Sequence, residues 1–376
     1  MNIEKFNKSQ YKGQIREAVK LAEGLRSDKD NPVDVSFDEV IKEKFGGATR
    51  ESFFADLGID PNTDTISNIQ TMPDDDVRWL IPELIREPLV LGYRKAPIWN
   101  NITASEEQIS GLSQVMPSLN MSDAVPARVG EGETIPLGAI SYGSKKFSIY
   151  KVGRGIKIPY EVLNYVSLNV IGIFLQDFGV KMGHALDTLA IDCIINGEQA
   201  DGSESAPVIG TTTGVASTKA YSDFLRAWIR GARMGRKFST IIGGEAAALS
   251  TLDLTPFKTN SDGSKMAAGV PTTTALTLKT PVPASAEYYI HGNIPANQEI
   301  LLDKAATLLK FNAQPLMIES DKVVSNQTIE TYASMTTGFA KLFTDGALIM
   351  DASKAFASYG FPTYMDVDPF ENVVFE

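Results

Sequence analysis

Residues 128–163 read RVGEGETIPLGAISYGSKKFSIYKVGRGIKIPYEVL, and the organisation of the chain follows from them. From Ser144 onward apolar residues alternate. Phe147 and Ile149 fall on one side, then Val152, Ile156 and Ile158 after a change of phase near Gly153. A period of two marks a strand, and a phase change marks a bend or bulge. Upstream, Gly130, Gly132, Pro136 and Gly138 divide the chain into turns. The reading is two irregular strands joined by a turn, a hairpin over 128–158. It has too few large apolar side chains to bury a core of its own. It therefore protrudes and is held by something else, which in a homo-oligomer is a neighbouring copy. Lys145, Lys146, Lys151, Arg154 and Lys157 make a positive run along it, and Glu131 and Glu133 sit at its start. These are candidate intersubunit contacts; the alternative for the basic run is a solvated face.

The clearest helix signal lies directly downstream. Leu163, Val166, Val170, Ile173, Phe174, Phe178, Met182, Leu186, Leu189 and Cys193 recur at spacings of three or four, with one adjacent pair. Asn164 and Ser167 are possible caps, so the region 159–196 is one helix or two with a break. Gly172, Gly179 and Gly183 would each cost roughly 1 kcal/mol in a helix interior, a cost that close backbone packing can explain. Asn196 and Gly197 end the run.

Further out the signals are looser. Residues 1–80 are acidic, with helical patterns over 10–25 and 37–45, the second stopped by Gly46 and Gly47. They read as an arm or a small helical region, or as a loosely packed extension, with 52–76 polar and turn-rich. In 81–127, Pro82, Pro88 and Pro97 break any long helix. The segment 221–238 predicts an amphipathic helix with Phe224, Leu225, Trp228 and Ile229 on one face and Arg226, Arg230 and Arg233 together on another, the arginines being further candidate intersubunit contacts with phosphate as the alternative. A strand-like STIIGGE and a short helix over 246–252 follow. Residues 255–283 read as an exposed loop, and 287–350 as β-rich, with a long strand over 328–343.

Composition narrows the function classes. The net charge of -11 argues against a free-standing nucleic-acid binder, which needs a basic surface for phosphates, but not against a container for nucleic acid. One cysteine, Cys193, cannot form an intrachain disulfide, and its place on an apolar helix face reads as a buried thiol. The N-terminus is polar, without the apolar core of a secretory signal, and no run of apolar residues is long enough to span a membrane. Only His184 and His291 are present, and no HExxH, CxxC or GxSxG pattern occurs. His184 with Asp187 reads as a structural helix pair and His291 as a turn histidine. RVGEGETIPLG starts like a phosphate loop but has Ile135 at the third glycine position, and KVGRGIK lacks a GK[ST] ending. No cofactor or metal is expected.

Taken in order, these stretches resemble the tailed-bacteriophage major capsid proteins, whose fold is shared with encapsulin shells and herpesvirus capsid floors. The resemblance is strongest over 128–163 and continues through LNVIGIFLQDFGVKMGHALDTLAIDCIING at 168–197 and PLMIESD within 310–352, covering roughly 80–355. It implies an α+β fold with an N-terminal arm or reduced scaffold-like region (1–80), an arm continuation and the start of a peripheral domain (81–127), an extended hairpin loop (128–158) and a long spine helix (159–196). An axial domain (197–290), peripheral closing strands (291–355) and a C-terminal segment (356–376) complete it. It also implies hexamers and pentamers of this chain in an icosahedral shell around double-stranded DNA held without sequence preference. Partners would be a portal protein at one vertex and scaffold, protease or decoration proteins, with assembly in the bacterial cytoplasm and no membrane. Some members crosslink through lysine and asparagine; Lys145 and Lys146 sit in the matching loop, but no glutamate or asparagine partner is identified. The competing readings are an encapsulin-like compartment, a tail or adhesion protein, and a soluble carboxylate-dependent metal hydrolase.

Overall fold

The computed structural model describes residues 13–26, 35–71, 75–95, 97–109, 111, 113–119, 129–132, 134, 140–198, 205–216, 218–233, 235–254 and 286–355. It is an α+β chain. Helices α1 (Gln14–Arg26), α2 (Phe37–Lys44), α3 (Arg50–Leu57), α4 (Ile66–Gln70), α5 (Ile81–Lys95) and α6 (Trp99–Ile102) come first. Strands β1 (Thr103–Gln108), β2 (Ser113–Leu119), β3 (Ile140–Ser148) and β4 (Tyr150–Pro159) lead into α7 (Tyr160–Tyr165) and α8 (Leu168–Asn196). Then follow β5 (Val208–Thr211), α9 (Tyr221–Arg233), β6 (Thr240–Gly243), α10 (Glu245–Leu252), β7 (Glu287–Ile290) and β8 (Gln298–Leu302). The chain closes with α11 (Lys304–Thr307), β9 (Leu308–Val323), β10 (Thr328–Lys341) and β11 (Ala347–Ala355).

The chain divides into two compact units. The first comprises Met1–Pro97, Tyr150–Leu186 and Asn312–Thr337. Its N-terminal part is helical and has a core, so the loosely packed extension does not describe it. Ile15, Val19, Phe37, Ile41, Phe53, Phe54, Ile59 and Ile69 bury together, each contributing roughly 1.5–3 kcal/mol at most. The short helices are held at their starts by side chains. Ser36 and Glu39 exchange hydrogen bonds, as do Thr49 and Ser52, and Thr65 accepts from the Asn68 N–H at 3.2 Å. These caps put α3 and α4 where composition predicts a polar, turn-rich stretch. A second expectation also fails: α5 runs through Pro88. Buried Ile85, Leu89 and Val90 anchor both sides of the proline, and this packing outweighs the lost hydrogen bond.

In the same unit β10 pairs antiparallel with β4, from Thr328↔Pro159 to Thr337↔Tyr150 without a shift of register. Ile158 and Ile329 from this pair pack with Ile66, Ile85, Leu163, Ile171 and Leu175. The change of phase read near Gly153 falls instead at Ile149, between β3 and β4. The hairpin also differs from the 128–158 expectation. β3 pairs with β2, Ser113↔Ser148 to Leu119↔Ile140 with a shift between Met116 and Pro117, while 150–159 is taken by β10. Alternation identifies strands but not partners, and β10 lies far away in sequence.

The second unit comprises Ile98–Ile149, Asp187–Phe311 and Gly338–Glu376. A five-stranded sheet ordered β5-β11-β8-β6-β7 forms its centre. β11 is parallel to β5 and β6 to β7, and both β11 and β6 are antiparallel to β8. One face buries Phe224, Ala227 and Trp228 of α9 against Ile241, Tyr288, Leu301 and Leu348. The expected boundary at 290 separates strands that share this sheet. Ile229, expected on the buried face of α9, is exposed. The 255–283 loop lies outside the described residues. Of the two alternatives left open for 159–196, the structure has the second, with α7 and α8 as separate helices, and Gly197 ends α8 with φ 72°.

Candidate functional site

Strand β4 gathers three of the expected contact residues. Lys151, Arg154 and Lys157 are all exposed on it. Lys157 stands 3.6 Å from Glu330 across the strand pair; Lys151 and Arg154 have no ion-pair partner among the described residues. Gly153 and Gly155 separate these cations because β10 presses against them. A Cβ on Gly155 would meet the Tyr332 ring at 2.6 Å, and one on Gly153 the Ala333 carbonyl oxygen at 2.8 Å. The KVGRGIK glycines therefore serve strand packing rather than a phosphate. The Tyr332 hydroxyl donates to Glu330 at 2.5 Å, and that carboxylate pushes the phenol above the usual tyrosine range.

Helix α8 crosses α5 at glycines. A Cβ on Gly179 would lie 2.1 Å from the Leu89 carbonyl oxygen, and one on Gly92 2.0 Å from that of Gln176. This close approach leaves side chains of the first half of α8 unpartnered. Ile173 is 63% exposed, Phe174 67%, Tyr165 on α7 84% and Leu91 on α5 51%. Leu91 and Ile173 line an open groove of about 760 Å³ with Phe54, Leu84, Pro88 and Ile171. Exposed apolar side chains beside a groove are the kind of surface on which partners dock. The sequence pattern counts Ile173 and Phe174 among the apolar positions of the helix without showing which of them a neighbour covers. The available signal was that apolar residues cover too much of the circumference for one neighbour.

Buried charge is engaged in structural pairs. In the second unit the Lys219 ammonium lies 2.8 Å from Glu299 and donates to the Thr251 hydroxyl at 3.0 Å and the Ala247 carbonyl at 3.1 Å. Glu299 also accepts from Tyr288 at 2.6 Å and Thr251 at 2.5 Å. Burial pushes Lys219 below the usual lysine range, against the pull of Glu299, and raises Tyr288. Lys310 donates to Glu106 at 2.6 Å, lies 3.5 Å over the Trp99 ring and is lowered by burial. Asp187 accepts the Ile98 and Trp99 N–H groups, each at 2.8 Å, capping the start of α6. His291 accepts from the Asn293 N–H at 3.3 Å in its turn. Cys193 is buried and donates to the Phe339 carbonyl at 3.4 Å. In the first unit Glu87 pairs with Arg50, and burial pushes its carboxyl up to about 7. Among the described residues no three His, Cys, Asp or Glu side chains converge to hold a metal, and no helix is long and apolar enough to cross a membrane.

The remaining expected contacts are scattered. Glu131 is exposed beside Gly132, whose φ is 82°; Glu133 lies outside the described residues. Lys145 and Lys146 pair through their backbones with Met116 and Val115, and their side chains lie outside the description. Arg226 and Arg230 are half-buried on α9, Arg226 donating to Thr212 at 3.3 Å beside Asp223. The Arg233 side chain is not described.

No family model matches the chain, and no curated protein matches it. Solved structures do. The chain is similar to the virus-like particle from Pyrococcus furiosus at 12% identity, covering 72% of this chain and 98% of that one, with a TM-score of 0.47. It is similar to the capsid of a native GTA particle at 13% identity, over 68% and 89%, with a TM-score of 0.47. A third is the capsid of the cyanophage P-SCSP1u, at 13% identity over 69% and 89%, with a TM-score of 0.48. All three are proteins of capsids or virus-like particles.

Proposed function

We propose that this chain is a structural, non-catalytic subunit of a self-assembling shell, the major capsid protein of a tailed bacteriophage. Copies form hexamers and pentamers of an icosahedral particle around double-stranded DNA, assembled in the host cytoplasm with a portal at one vertex. Scaffold, protease or decoration proteins act alongside.

The observation that carries this reading is the exposed apolar surface of the first unit. Leu91 and Ile173 line an open groove, and Tyr165 and Phe174 are exposed on α7 and α8. A chain working alone gains nothing from such a surface, whereas repeated copies bury it. The basic strand β4 adds electrostatic register. Support also comes from the succession of paired strands, long helix, α/β sheet and long closing strands, which has the order of the sequence resemblance. The ion pairs Lys219–Glu299, Lys310–Glu106 and Arg50–Glu87 brace the fold.

Negative-stain electron microscopy of the expressed chain, with its sedimentation profile, tests the proposal. Closed polyhedral shells or sheets of six-fold capsomers are expected. Small discrete particles that persist when the neighbouring phage genes are co-expressed would overturn it. Nuclease-protected DNA inside the shells distinguishes a capsid from a compartment filled with protein.

A further inference from the structure

Among the described residues β4 is an edge strand. It pairs with β10 along ten positions, and its other side meets no strand. Such an edge shows a row of unpaired N–H and C=O groups, a template for a further strand. It is long for an unprotected edge, since strands commonly run about five or six residues. Its exposed cations, Lys151, Arg154 and Lys157, select against a basic or apolar partner and favour an acidic one.

The chain contains a complementary segment. Residues 366–376 read DVDPFENVVFE, with Asp366, Asp368, Glu371 and Glu376, no cation, and the strand-favouring Val373, Val374 and Phe375. Other segments fit less well. Residues 1–12 and 255–285 each carry more lysine than carboxylate, and 27–34 and 199–204 are acidic but poor in strand formers.

We propose that residues 366–376 of one copy add as a strand to the β4 edge of a second copy. This deepens the assembly reading and rests on it. Backbone hydrogen bonds supply the affinity, while the carboxylates facing Lys151, Arg154 and Lys157 set register and exclude other segments. The contact joins unlike surfaces. Each copy donates a segment and accepts one, so the contact can run from copy to copy around a ring.

The test uses two full-length charge reversals. One carries K151E, R154E and K157E; the other carries D366K, D368K, E371K and E376K. The readouts are amide hydrogen exchange over 150–159 and sedimentation. In the associated wild-type protein the β4 amides are protected. Each variant alone loses that protection, with exchange faster by about tenfold or more, and an equimolar mixture regains it. Restoration on mixing requires that the contact run between copies and that both variants be folded. If mixing restores nothing while each variant keeps its circular dichroism spectrum, the proposal fails. It also fails if the variants exchange like wild type. A measurement without variants guards against misfolding: in the wild type, raising salt until the screening length is a few ångströms must speed exchange in β4. Unchanged protection overturns the proposal. Shells that form with β4 unprotected would sink this contact and leave the shell reading intact. Protection restored by mixing, without shells, would do the reverse.

Discussion

Substituting Gly179 and Gly172 by alanine, one at a time, should move stability in opposite directions, although both lie in α8. Alanine is the better helix former by roughly 1 kcal/mol, so propensity alone predicts a gain at each. The surroundings differ. At Gly172 the nearest foreign atom to an added Cβ is Pro88 Cγ at 3.7 Å, an ordinary contact. At Gly179 the same atom would stand 2.1 Å from the Leu89 carbonyl oxygen and 2.8 Å from the Tyr93 nitrogen. Both belong to the α5 backbone and cannot rotate aside. Relief requires the helices to part by about 1 Å, which opens gaps along the whole crossing. Overpacking commonly costs about 1–3 kcal/mol, and a backbone obstacle belongs at the upper end. G179A should therefore lose about 2 kcal/mol net, and G172A should gain up to about 1 kcal/mol. Urea denaturation followed by far-ultraviolet circular dichroism measures both, with hydrogen exchange in α5 and α8 locating the change. Equal shifts for the two variants, or a G179A protein as stable as wild type, would refute the reasoning.

Three further outcomes follow from the same structure. The Glu87 carboxyl is raised from 4.5 to about 7 by burial. The folded state thus holds an extra proton between those values, and stability is fully present below about 4.5 and falls as pH rises through about 7. The loss is on the order of 3 kcal/mol at most, and a pH series of urea midpoints should flatten in E87Q. Replacing Glu299 by leucine strands the buried Lys219 charge and should cost about 3–5 kcal/mol, whereas the double replacement K219M/E299L should recover much of it in thermal denaturation. Substituting Ile173 and Phe174 together by glutamate should leave monomer stability within about 0.5 kcal/mol, since both are exposed; sedimentation should nevertheless show that assembly is lost.

How far the sequence could be read depended on the range of the interaction. Local patterns gave α7, α8, α9 and the long β10, because periodicity and caps act within a few residues. Close backbone packing was one explanation for the three glycines of α8; it holds at Gly179, which meets the α5 backbone, and not at Gly172, where an added Cβ would meet only Pro88 Cγ at 3.7 Å. Tertiary choices were not legible. Pro88 sits inside a helix because packing on both sides outweighs one missing hydrogen bond, and no local rule weighs that. β4 pairs with β10, more than 150 positions away, rather than within the hairpin expected from alternation. Ile173, Phe174 and Ile229 could not be told from core residues because hydrophobicity is the same in a core and at a surface awaiting a partner. The basic run of β4 was visible in the sequence, and the fold shows which of its members share a strand.

Cys193 has a practical consequence. It is the sole thiol in these 376 residues, and it is enclosed, with its hydrogen committed to a carbonyl. Reagents that attack sulfur should therefore pass the native protein by. A cysteine placed on an exposed position away from β4, such as Val324, would be the one addressable handle, so dyes, spin labels or cargo could be attached at one defined point per subunit with no background to subtract. The same enclosure shields the native thiol from mild oxidants in the buffer.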